Sequence, residues 1–280
     1  MKHLREFQNH SSYDSEKSGI PKAYVATCLN EGHVHYGQIE ETMIVAKFNV
    51  TSTTTPTKIL YYDTTSYYSK IEIDGVEQEP IATSYTFNTI GIHTVKYEPN
   101  SSMAIGFGYL PCLISLSIPN GITTINQQLC RGSENITSVT IPDSVTTIGN
   151  SSFNNCYSLT GLTIPNGVTK LENWMFSGSG VRYINLPDSI TYIEYCSMQY
   201  CYNLTEITIP SGVTKIENAS IRSCNSIEKI TILATTPPTL GKSNFTNTNN
   251  CPIYVPAQSV EAYKAASGWS TFTDRIQAIP

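Results

Sequence analysis

The sequence predicts a mainly β protein, in which a solenoid of short repeats follows a small antiparallel β domain and ends in a short capping helix. The solenoid is predicted by one regularity of spacing. Prolines recur at intervals of 23, 23, 22 and 23 residues, each after Ile or Leu and each followed two residues later by Gly or Ser: Pro119, Pro142, Pro165, Pro187 and Pro210. A period of about 20 to 29 residues with Leu and Ile at fixed offsets is typical of a leucine-rich repeat solenoid, which stacks one short strand per repeat.

The run before each proline follows the pattern Leu-x-x-Leu-x-Ile. Six copies are present, of which the last lacks the proline: Leu113, Leu116 and Ile118; Ile136, Val139 and Ile141; Leu159, Leu162 and Ile164; Val181, Ile184 and Leu186; Leu204, Ile207 and Ile209; Ile227, Ile230 and Ile232. The last two apolar positions of each run are two residues apart, which places both side chains on one face of a strand. Each run therefore predicts a strand with one buried and one exposed face.

A turn and a second apolar pair follow each proline. Proline, then a short polar residue, then Gly or Ser is the composition of a tight turn. Apolar residues recur three and six positions after the proline, as in Val145 and Ile148. A larger side chain recurs eleven positions after it: Cys130, Phe153, Phe176, Met198 and Ile221. We expect this last column to fill the core between the two turns of each repeat.

These motifs resemble the BspA-like, Treponema-type leucine-rich repeat family found in Bacteroides-type proteins. The resemblance is carried by Ile-Pro-Asp-Ser-Val-Thr-Thr-Ile-Gly at 141–149, by the downstream Phe153, and by Cys156 before Leu159, and it covers about residues 100–250. It implies a right-handed solenoid used for adhesion or protein binding, commonly on a cell surface. It implies no catalytic residue.

Four segments are predicted: a leader at 1–40, a small β-sandwich-like domain at 41–100, the solenoid at 101–250 and a cap at 251–280. The last segment resembles the C-terminal cap of such arrays. Ser259 can begin a helix there, because Ser is a favoured N-cap residue. Val260, Tyr263 and Ala266 would then share one helical face and cover the last open repeat.

Residues 41–100 contain about five runs of β-branched or aromatic residues, separated by clusters of Gly, Pro, Asn or Thr. This pattern predicts short antiparallel strands. Asp74-Gly75 indicates a hairpin, because both residues tolerate the positive φ of tight hairpin turns. An immunoglobulin-like sandwich is one interpretation, although about 60 residues is short for one. The alternative is a sheet continuous with the first repeat.

The first ten residues are polar and charged, with no apolar stretch typical of a secretory signal. We expect either a signal that has been removed or release by another route. Residues 1–7 and 28–36 resemble, weakly, the leaders of proteins from Bacteroides phages and mobile elements. This resemblance implies a virion protein that docks to other virion proteins through 1–40. A polar leader that is poor in apolar surface also favours homo-oligomerisation.

Composition disfavours two classes of partner. Charged residues are 14% of the chain and the net charge is −5, so we expect no basic surface for nucleic acid. The apolar stretches are shorter than a membrane span, so we expect no membrane insertion.

The cysteines predict a reduced core rather than disulfides or a metal site. Cys156, Cys201 and Cys224 all fall fourteen residues after their proline, and Cys130 takes the large core position. Cysteine behaves as a small hydrophobe when it is buried. The pair His33 and His35 could face one side of a strand, but the sequence offers no third ligand, so we expect an ordinary strand and no metal or cofactor. His93 is predicted to be structural.

No catalytic residue is predicted. Glu172, Glu194 and Glu217 recur one repeat apart, which indicates a solvated edge rather than a pair of carboxylates in a pocket.

The exposed strand positions are the predicted binding site. Between the last two hydrophobic residues of each run, the residue type hardly changes from one repeat to the next. The residue just before these two hydrophobic residues varies: Ser115, Ser138, Gly161, Tyr183, Glu206 and Lys229. Around the shortened repeat, Arg182, Tyr183, Tyr192 and Tyr195 are expected to form a cluster of the residue types enriched in binding hot spots. The predicted ligand-binding set is therefore Arg182, Tyr183, Tyr192, Tyr195, Glu206 and Lys229. The ligand class is left open between a protein and a surface glycan.

Three functions follow from these expectations. The first is a non-enzymatic attachment or scaffold protein of a phage virion that displays the solenoid for host contact. The alternative is a cell-surface or extracellular adhesin that binds host or bacterial proteins. A carbohydrate-active enzyme is the third and the least favoured.

Overall fold

The computed structural model describes residues 42–61, 65–104 and 106–280, together with the backbone of two strands nearer the start of the chain. Those strands, β1 (Tyr24–Cys28) and β2 (Val34–Gln38), pair antiparallel within a unit that spans Met1–Glu41. Apart from the backbone of these two strands, the predicted docking leader lies outside the described residues, and so do the side chains of His33 and His35. A second compact unit spans Thr42–Pro280.

The second unit begins with an antiparallel sheet. Its strands are β3 (Ile44–Val50), β4 (Thr57–Lys58), β5 (Tyr68–Ile73), β6 (Val76–Glu77), β7 (Ser84–Tyr85) and β8 (Gly91–Pro99), with a 3-10 helix at Thr65–Tyr67. The order β3-β8-β5-β6 forms one sheet, and β4 pairs with β7 beside it. Alternate residues of β3 are buried, as expected for a strand with one face on a core: Ile44, Ala46, Phe48 and Val50.

The predicted hairpin lies between β5 and β6. Asp74 and Gly75 both adopt positive φ, of 49° and 83°, which confirms the turn. The turn is held by His93 of β8, whose Nδ1 lies 2.6 Å from Oδ2 of Asp74 and whose Nε2 lies 2.9 Å from the carbonyl oxygen of Thr89. His93 is almost fully buried, so its predicted structural role is confirmed.

Two series of short strands build the solenoid. The first series is β10 (Leu113–Ser117), β12 (Ser138–Thr140), β14 (Gly161–Thr163), β16 (Tyr183–Asn185), β18 (Glu206–Ile209), β20 (Lys229–Ile232), β22 (Ile253–Val255) and β23 (Ile276–Ala278). The second series is β9 (Met103–Ala104), β11 (Thr124–Ile125), β13 (Thr147–Ile148), β15 (Lys170–Leu171), β17 (Tyr192–Ile193), β19 (Lys215–Ile216) and β21 (Thr239–Leu240). Each of the six repeats, or rungs, contributes one strand to each series, while β9 precedes the first repeat and β22 and β23 follow the last.

The first series falls into three ladders, β10-β12, β14-β16 and β18-β20-β22-β23, in which neighbouring strands are parallel and in register. Leu116 pairs with Val139, Leu162 with Ile184, and Ile207 with Ile230. All six residues belong to the predicted apolar column. Five of them are buried and Val139 is half-buried. The predicted register is therefore confirmed within each of these ladders.

The antiparallel sheet and the solenoid share one continuous sheet, because β10 pairs antiparallel with β3. Of the two interpretations of residues 41–100, the structure contains the continuous sheet and not a separate sandwich. A strand of the first repeat would otherwise expose an unpaired edge, and β3 covers that edge.

A third ladder of backbone hydrogen bonds closes each rung. It runs through the turn between the second strand and the next rung, and its amides donate to the carbonyl groups of the following rung: Gln128 to Asn150, Cys130 to Ser152, and Gly132 to Asn154, at 2.8–2.9 Å. Two positions of each turn, nine and thirteen residues after the proline, adopt positive φ: Gln128 and Gly132, Ser151 and Asn155, Trp174 and Gly178, Cys196 and Tyr200, Ala219 and Ser223. We call this side of the solenoid the turn face.

The core follows the predicted columns. Cys130, Phe153, Phe176, Met198 and Ile221 are all fully buried, and the rings of Phe153 and Phe176 stack with their centroids 5.5 Å apart. The core therefore continues through the array without a break between rungs.

The cap closes the last rung. Helix α1 (Val260–Ala265) follows a 3-10 helix at Ala257–Ser259 and precedes another at Trp269–Phe272. Ser259 stands at the predicted N-cap position, although its side chain makes no capping hydrogen bond. Tyr263 and Trp269 are fully buried, and they donate hydrogen bonds to the carbonyl groups of Ala234 (2.8 Å) and Pro238 (2.7 Å). Within the described part of the chain, α1 and the 3-10 helices are all too short to cross a membrane.

Candidate binding surface

The outward side chains of the first strand series form one long surface, which we call the strand face. Register places the varied residues side by side, Ser115 with Ser138, Gly161 with Tyr183, and Glu206 with Lys229. From β10 to β22 there are six strand spacings, so the face is about 29 Å long at the usual spacing between strands. The varied residues are therefore adjacent within each ladder, and shared depressions join Val139 to Gly161 and Tyr183 to Glu206 between ladders.

Tyr183 is the most prominent aromatic side chain of this face. It is 51% exposed, and its ring covers Gly161 of the preceding rung. A Cβ atom at Gly161 would lie only 2.2 Å from the ring, so the absence of a side chain there makes room for the tyrosine. The ring forms a wall between two shallow depressions, one toward Val139 and Leu162 and the other toward Glu206.

Glu206 and Lys229 form an ion pair on the next two rungs, with Oε2 and Nζ 2.8 Å apart. The hydrogen bond with Glu206 raises the pKa of Lys229. The side chains of both residues remain about half exposed. A third shallow depression lies between this pair and Tyr254 of β22. A partner at this surface would thus meet an aromatic ring and two opposite charges on adjacent rungs.

The six predicted binding residues do not form one cluster. Tyr183, Glu206 and Lys229 lie together on the strand face, and Arg182 is exposed immediately before β16 at its edge. Tyr192 lies in β17 of the second strand series, beyond the proline turn. Tyr195 lies on the turn face, where its ring meets that of Trp174 edge to face at 5.3 Å. The predicted residues between 182 and 195 are close in sequence, but the turns within the repeat place their side chains on three different sides of the solenoid.

Tyr192 belongs to a closed polar network. Its ring lies between the ammonium groups of Lys170 and Lys215, 5.6 and 5.2 Å from its centroid, and its hydroxyl donates to Oε1 of Glu217 at 2.6 Å. Lys170 in turn pairs with Glu194 at 2.5 Å. Hydrogen bonds from Lys215 and then Tyr192 hold the pKa of Glu217 below its ordinary value. The groups of this network therefore satisfy one another.

The recurring carboxylates are part of the same arrangement. Glu172 and Glu194 flank Lys170, and Glu217 pairs with Lys215, so each acidic side chain has a lysine partner. The repeat spacing predicts a solvated edge for Glu172, Glu194 and Glu217, whereas the structure shows them half-buried and ion-paired with lysines.

The turn face carries aromatic residues that the sequence analysis did not single out. Those most exposed are Tyr109, Tyr157, Trp174, Tyr200 and Tyr202. Trp174 and Tyr200 occupy the two positive-φ positions of their turns. The signal that could have identified them is positional, because both stand at the fixed offsets of nine and thirteen residues after a proline.

The cysteines occupy the predicted core positions. Of the seven described cysteines six are buried, Cys112 is half-buried, and none is in a disulfide. Cys156, Cys201 and Cys224 each point a thiol at the carbonyl oxygen of the large core position in the preceding rung, at 3.1–3.2 Å. Burial raises the pKa of Cys201 to about 12. Among the described residues no group of three potential metal ligands comes together.

Comparison with known proteins gives one family match over most of the solenoid. The model of the BspA type leucine rich repeat region matches six copies, at residues 104–182 and 123–252. A comparison with curated proteins gives no match.

Two solved structures are similar over part of the chain. A leucine-rich repeat protein from Bacteroides ovatus ATCC 8483 is 22% identical, with a TM-score of 0.47, over 60% of this chain and 42% of that one. A leucine rich cell surface protein from Faecalibacterium prausnitzii A2-165 is 18% identical, with a TM-score of 0.26, over 60% of this chain and 64% of that one. The chain thus covers less than two thirds of either structure.

Proposed function

The chain belongs to the BspA-type leucine-rich repeat family, and from this premise we propose that it is a non-enzymatic protein that binds another macromolecule at a cell surface through its strand face. This is the adhesin alternative of the sequence analysis. Membership of the family supports it, because the family resemblance implies a solenoid used for adhesion or protein binding.

The observation that carries the proposal is the row Tyr183, Glu206 and Lys229. An exposed aromatic ring next to an ion pair, on strands whose backbone is fixed by parallel ladders, has the composition and the rigidity of a binding hot spot. The face is long and its depressions are shallow, so it suits the surface of a protein better than a small molecule.

The phage virion function is not developed further. It rests on the resemblance of residues 1–7 and 28–36, whose side chains lie outside the described residues, and no contact within the described part of 42–280 favours it. Docking to virion proteins and homo-oligomerisation remain predictions for the same reason. Catalysis gains no support from Glu172, Glu194 and Glu217, because each of them is ion-paired with Lys170 or Lys215.

The experiment compares strand-face variants for adhesion. Fluorescently labelled full-length protein would be applied to intact bacterial cells and to immobilised extracellular-matrix proteins. We expect Tyr183→Ala and Lys229→Glu each to weaken binding about tenfold or more, with unchanged circular dichroism. Tyr192→Phe is the matched control, because it removes one hydroxyl from the second sheet and leaves the strand face intact.

The double variant E206K/K229E keeps an ion pair but places the positive charge at position 206 and the negative charge at position 229. If the charges contact the partner, this variant binds as weakly as Lys229→Glu; if they only stabilise the fold, it binds like the wild type. Full binding by Tyr183→Ala and by Lys229→Glu would contradict the proposal. Antibody labelling of intact against permeabilised cells would test the surface location.

A further inference from the structure

The turn face contains a polar depression near the start of the solenoid. It has a volume of about 380 Å³ and extends over three consecutive rungs. Its principal lining residues are Gln127, Gln128 and Arg131 from one rung, Asn150 and Asn154 from the next, and Trp174 from the third. They converge because they stand eight, nine or twelve residues after their prolines, and the turn ladder stacks these positions, as in the hydrogen bond from the Gln128 amide to the Asn150 carbonyl.

Arg131 is an unpaired cation in this depression. Its Nε atom is buried without a hydrogen-bond acceptor among the described residues, and within that same part of the chain no carboxylate lies at ion-pair distance. Its guanidinium lies 5.7 Å from the centroid of the Tyr109 ring. That ring packs against Gly132, where a Cβ atom would come within 2.7 Å of it. Arg131 is therefore positioned by a packed aromatic ring and has donors left to offer.

The neighbouring amides also retain hydrogen-bonding capacity. The Nδ2 atom of Asn154 donates to the carbonyl oxygen of Ser177 at 2.7 Å, which leaves its Oδ1 as an acceptor. The side-chain amides of Gln127, Gln128 and Asn150 have no hydrogen-bond partner among the described residues. An amide side chain both donates and accepts, which matches the hydroxyl groups of a sugar.

Trp174 supplies an apolar surface at the end of the depression. It is 42% exposed, whereas Trp269 in the cap is fully buried. An indole face packs well against an apolar ring surface. The lining residues include no acidic side chain, so the depression is positive on a chain whose net charge is −5.

We propose that this depression binds an acidic sugar, a pyranose unit that carries a carboxylate or a sulfate. Arg131 binds the acidic group, the amides of Gln127, Gln128 and Asn150 bind the hydroxyls, and Trp174 packs on the C–H face of the ring. The volume is near the lower end of ligand pockets, which suits one or two sugar units. This site lies on the turn face and does not depend on the proposed function of the strand face.

The test uses three probes with the same lactose core: 3′-sialyllactose, 3′-sulfolactose and lactose. Binding to the full chain would be measured by calorimetry, with saturation-transfer NMR for weak complexes. We expect at least one acidic probe to bind at least tenfold more tightly than lactose. The comparison between the two acidic probes distinguishes a carboxylate from a sulfate.

Variants assign the contacts. Arg131→Gln should reduce the binding of the acidic probe to the level of lactose, and Arg131→Lys should restore part of it. Trp174→Asn should weaken both kinds of probe roughly three- to tenfold, by loss of ring packing. Asn tolerates the φ of 51° at this position, so the change adds little backbone strain.

Arg222 provides the matched control. It occupies the equivalent position four rungs later, outside the depression, and its Nε is likewise buried without an acceptor. Arg222→Gln and Tyr183→Ala should leave sugar binding unchanged. Equal affinity for all three probes, no binding of any, or full binding by Arg131→Gln would overturn the proposal, and none of these outcomes bears on adhesion through the strand face.

Discussion

The ring of Tyr183 occupies the space that a side chain at Gly161 would fill. The two residues are paired in register on adjacent parallel strands, and a Cβ atom at Gly161 would lie 2.2 Å from the ring. A glycine in one rung therefore determines how the aromatic side chain of the next rung is presented.

Gly161→Ala should move this ring without unfolding the protein. The clash is with the outer atoms of an exposed side chain, which can rotate away, so we expect less than about 1 kcal/mol of destabilisation. Gly180→Ala is the contrasting variant, since its Cβ would lie 1.9 Å from the backbone oxygen of Tyr157. We expect that change to cost about 1–3 kcal/mol or more. Urea denaturation measures both, and equal costs would contradict the assigned contacts.

Cys156 should be replaceable by serine but not by alanine. Its thiol donates to the carbonyl oxygen of Cys130, and Ser133 fills the equivalent position one rung earlier, where its hydroxyl donates to Phe107. We expect Cys156→Ser to change the free energy of unfolding by less than about 1 kcal/mol. Cys156→Ala removes the buried sulfur atom and one of the two hydrogen bonds that the Cys130 carbonyl accepts, the other coming from the Ser133 amide, so it should cost about 1–2 kcal/mol. If the alanine variant proves as stable as the serine variant, the hydrogen bond at position 156 does not contribute to stability.

Native thiols should react in two groups. Cys112 is half-buried, whereas Cys156, Cys201 and Cys224 are buried and burial raises the pKa of each. The thiolate is the reactive form, so these three should label slowly near pH 8. Comparing native with denatured protein, whose sequence holds eight cysteines, measures this. Fast native labelling of any of the three would show that its position is not core.

Acid should destabilise the antiparallel sheet in part through Asp74. Burial acts to raise the pKa of Asp74, but hydrogen bonds from His93 and from the Thr94 amide outweigh it and leave the pKa below its ordinary value. A lowered pKa means that the stabilisation is present at neutral pH and is lost as pH falls below about 4. Asp74→Asn should therefore be less stable at pH 7 and lose less stability between pH 5 and 3. Thermal melts across that range test it, and parallel curves for the two proteins would refute the role of Asp74.

Trp269→Ala should open the end of the solenoid. The indole is fully buried, stacks edge to face with Tyr263 at 5.0 Å and donates to Pro238. Its loss should cost about 3–5 kcal/mol. Because each rung relies on its neighbour, hydrogen exchange should increase first in β22 and β20. Uniform exchange along the array would argue against a local capping role.

Much of the fold could be predicted from the spacing of residue types along the sequence. In a solenoid each residue packs on its equivalent one repeat away, so a period of 22–23 residues identifies contacts such as Leu162 with Ile184 without any structure. The same symmetry predicted the core positions of Phe153 and Cys156, and turn chemistry predicted the hairpin at Asp74. These features depend on local periodicity and on the φ preferences of single residues.

Other features depend on contacts that the repeat does not encode. Residues 44–50 lie outside the array, and their pairing with Leu113–Ser117 joins segments more than 60 residues apart. Tyr183 and Tyr192 are near in sequence, yet the turn at Pro187 sends them to different sheets. The turn-face depression needs Trp174 and Gln128 in left-handed conformations that few non-glycine residues adopt, so its geometry followed from the ladder between rungs and not from any motif. Periodicity determined the array, and the packing between its non-equivalent parts determined the surfaces available for binding.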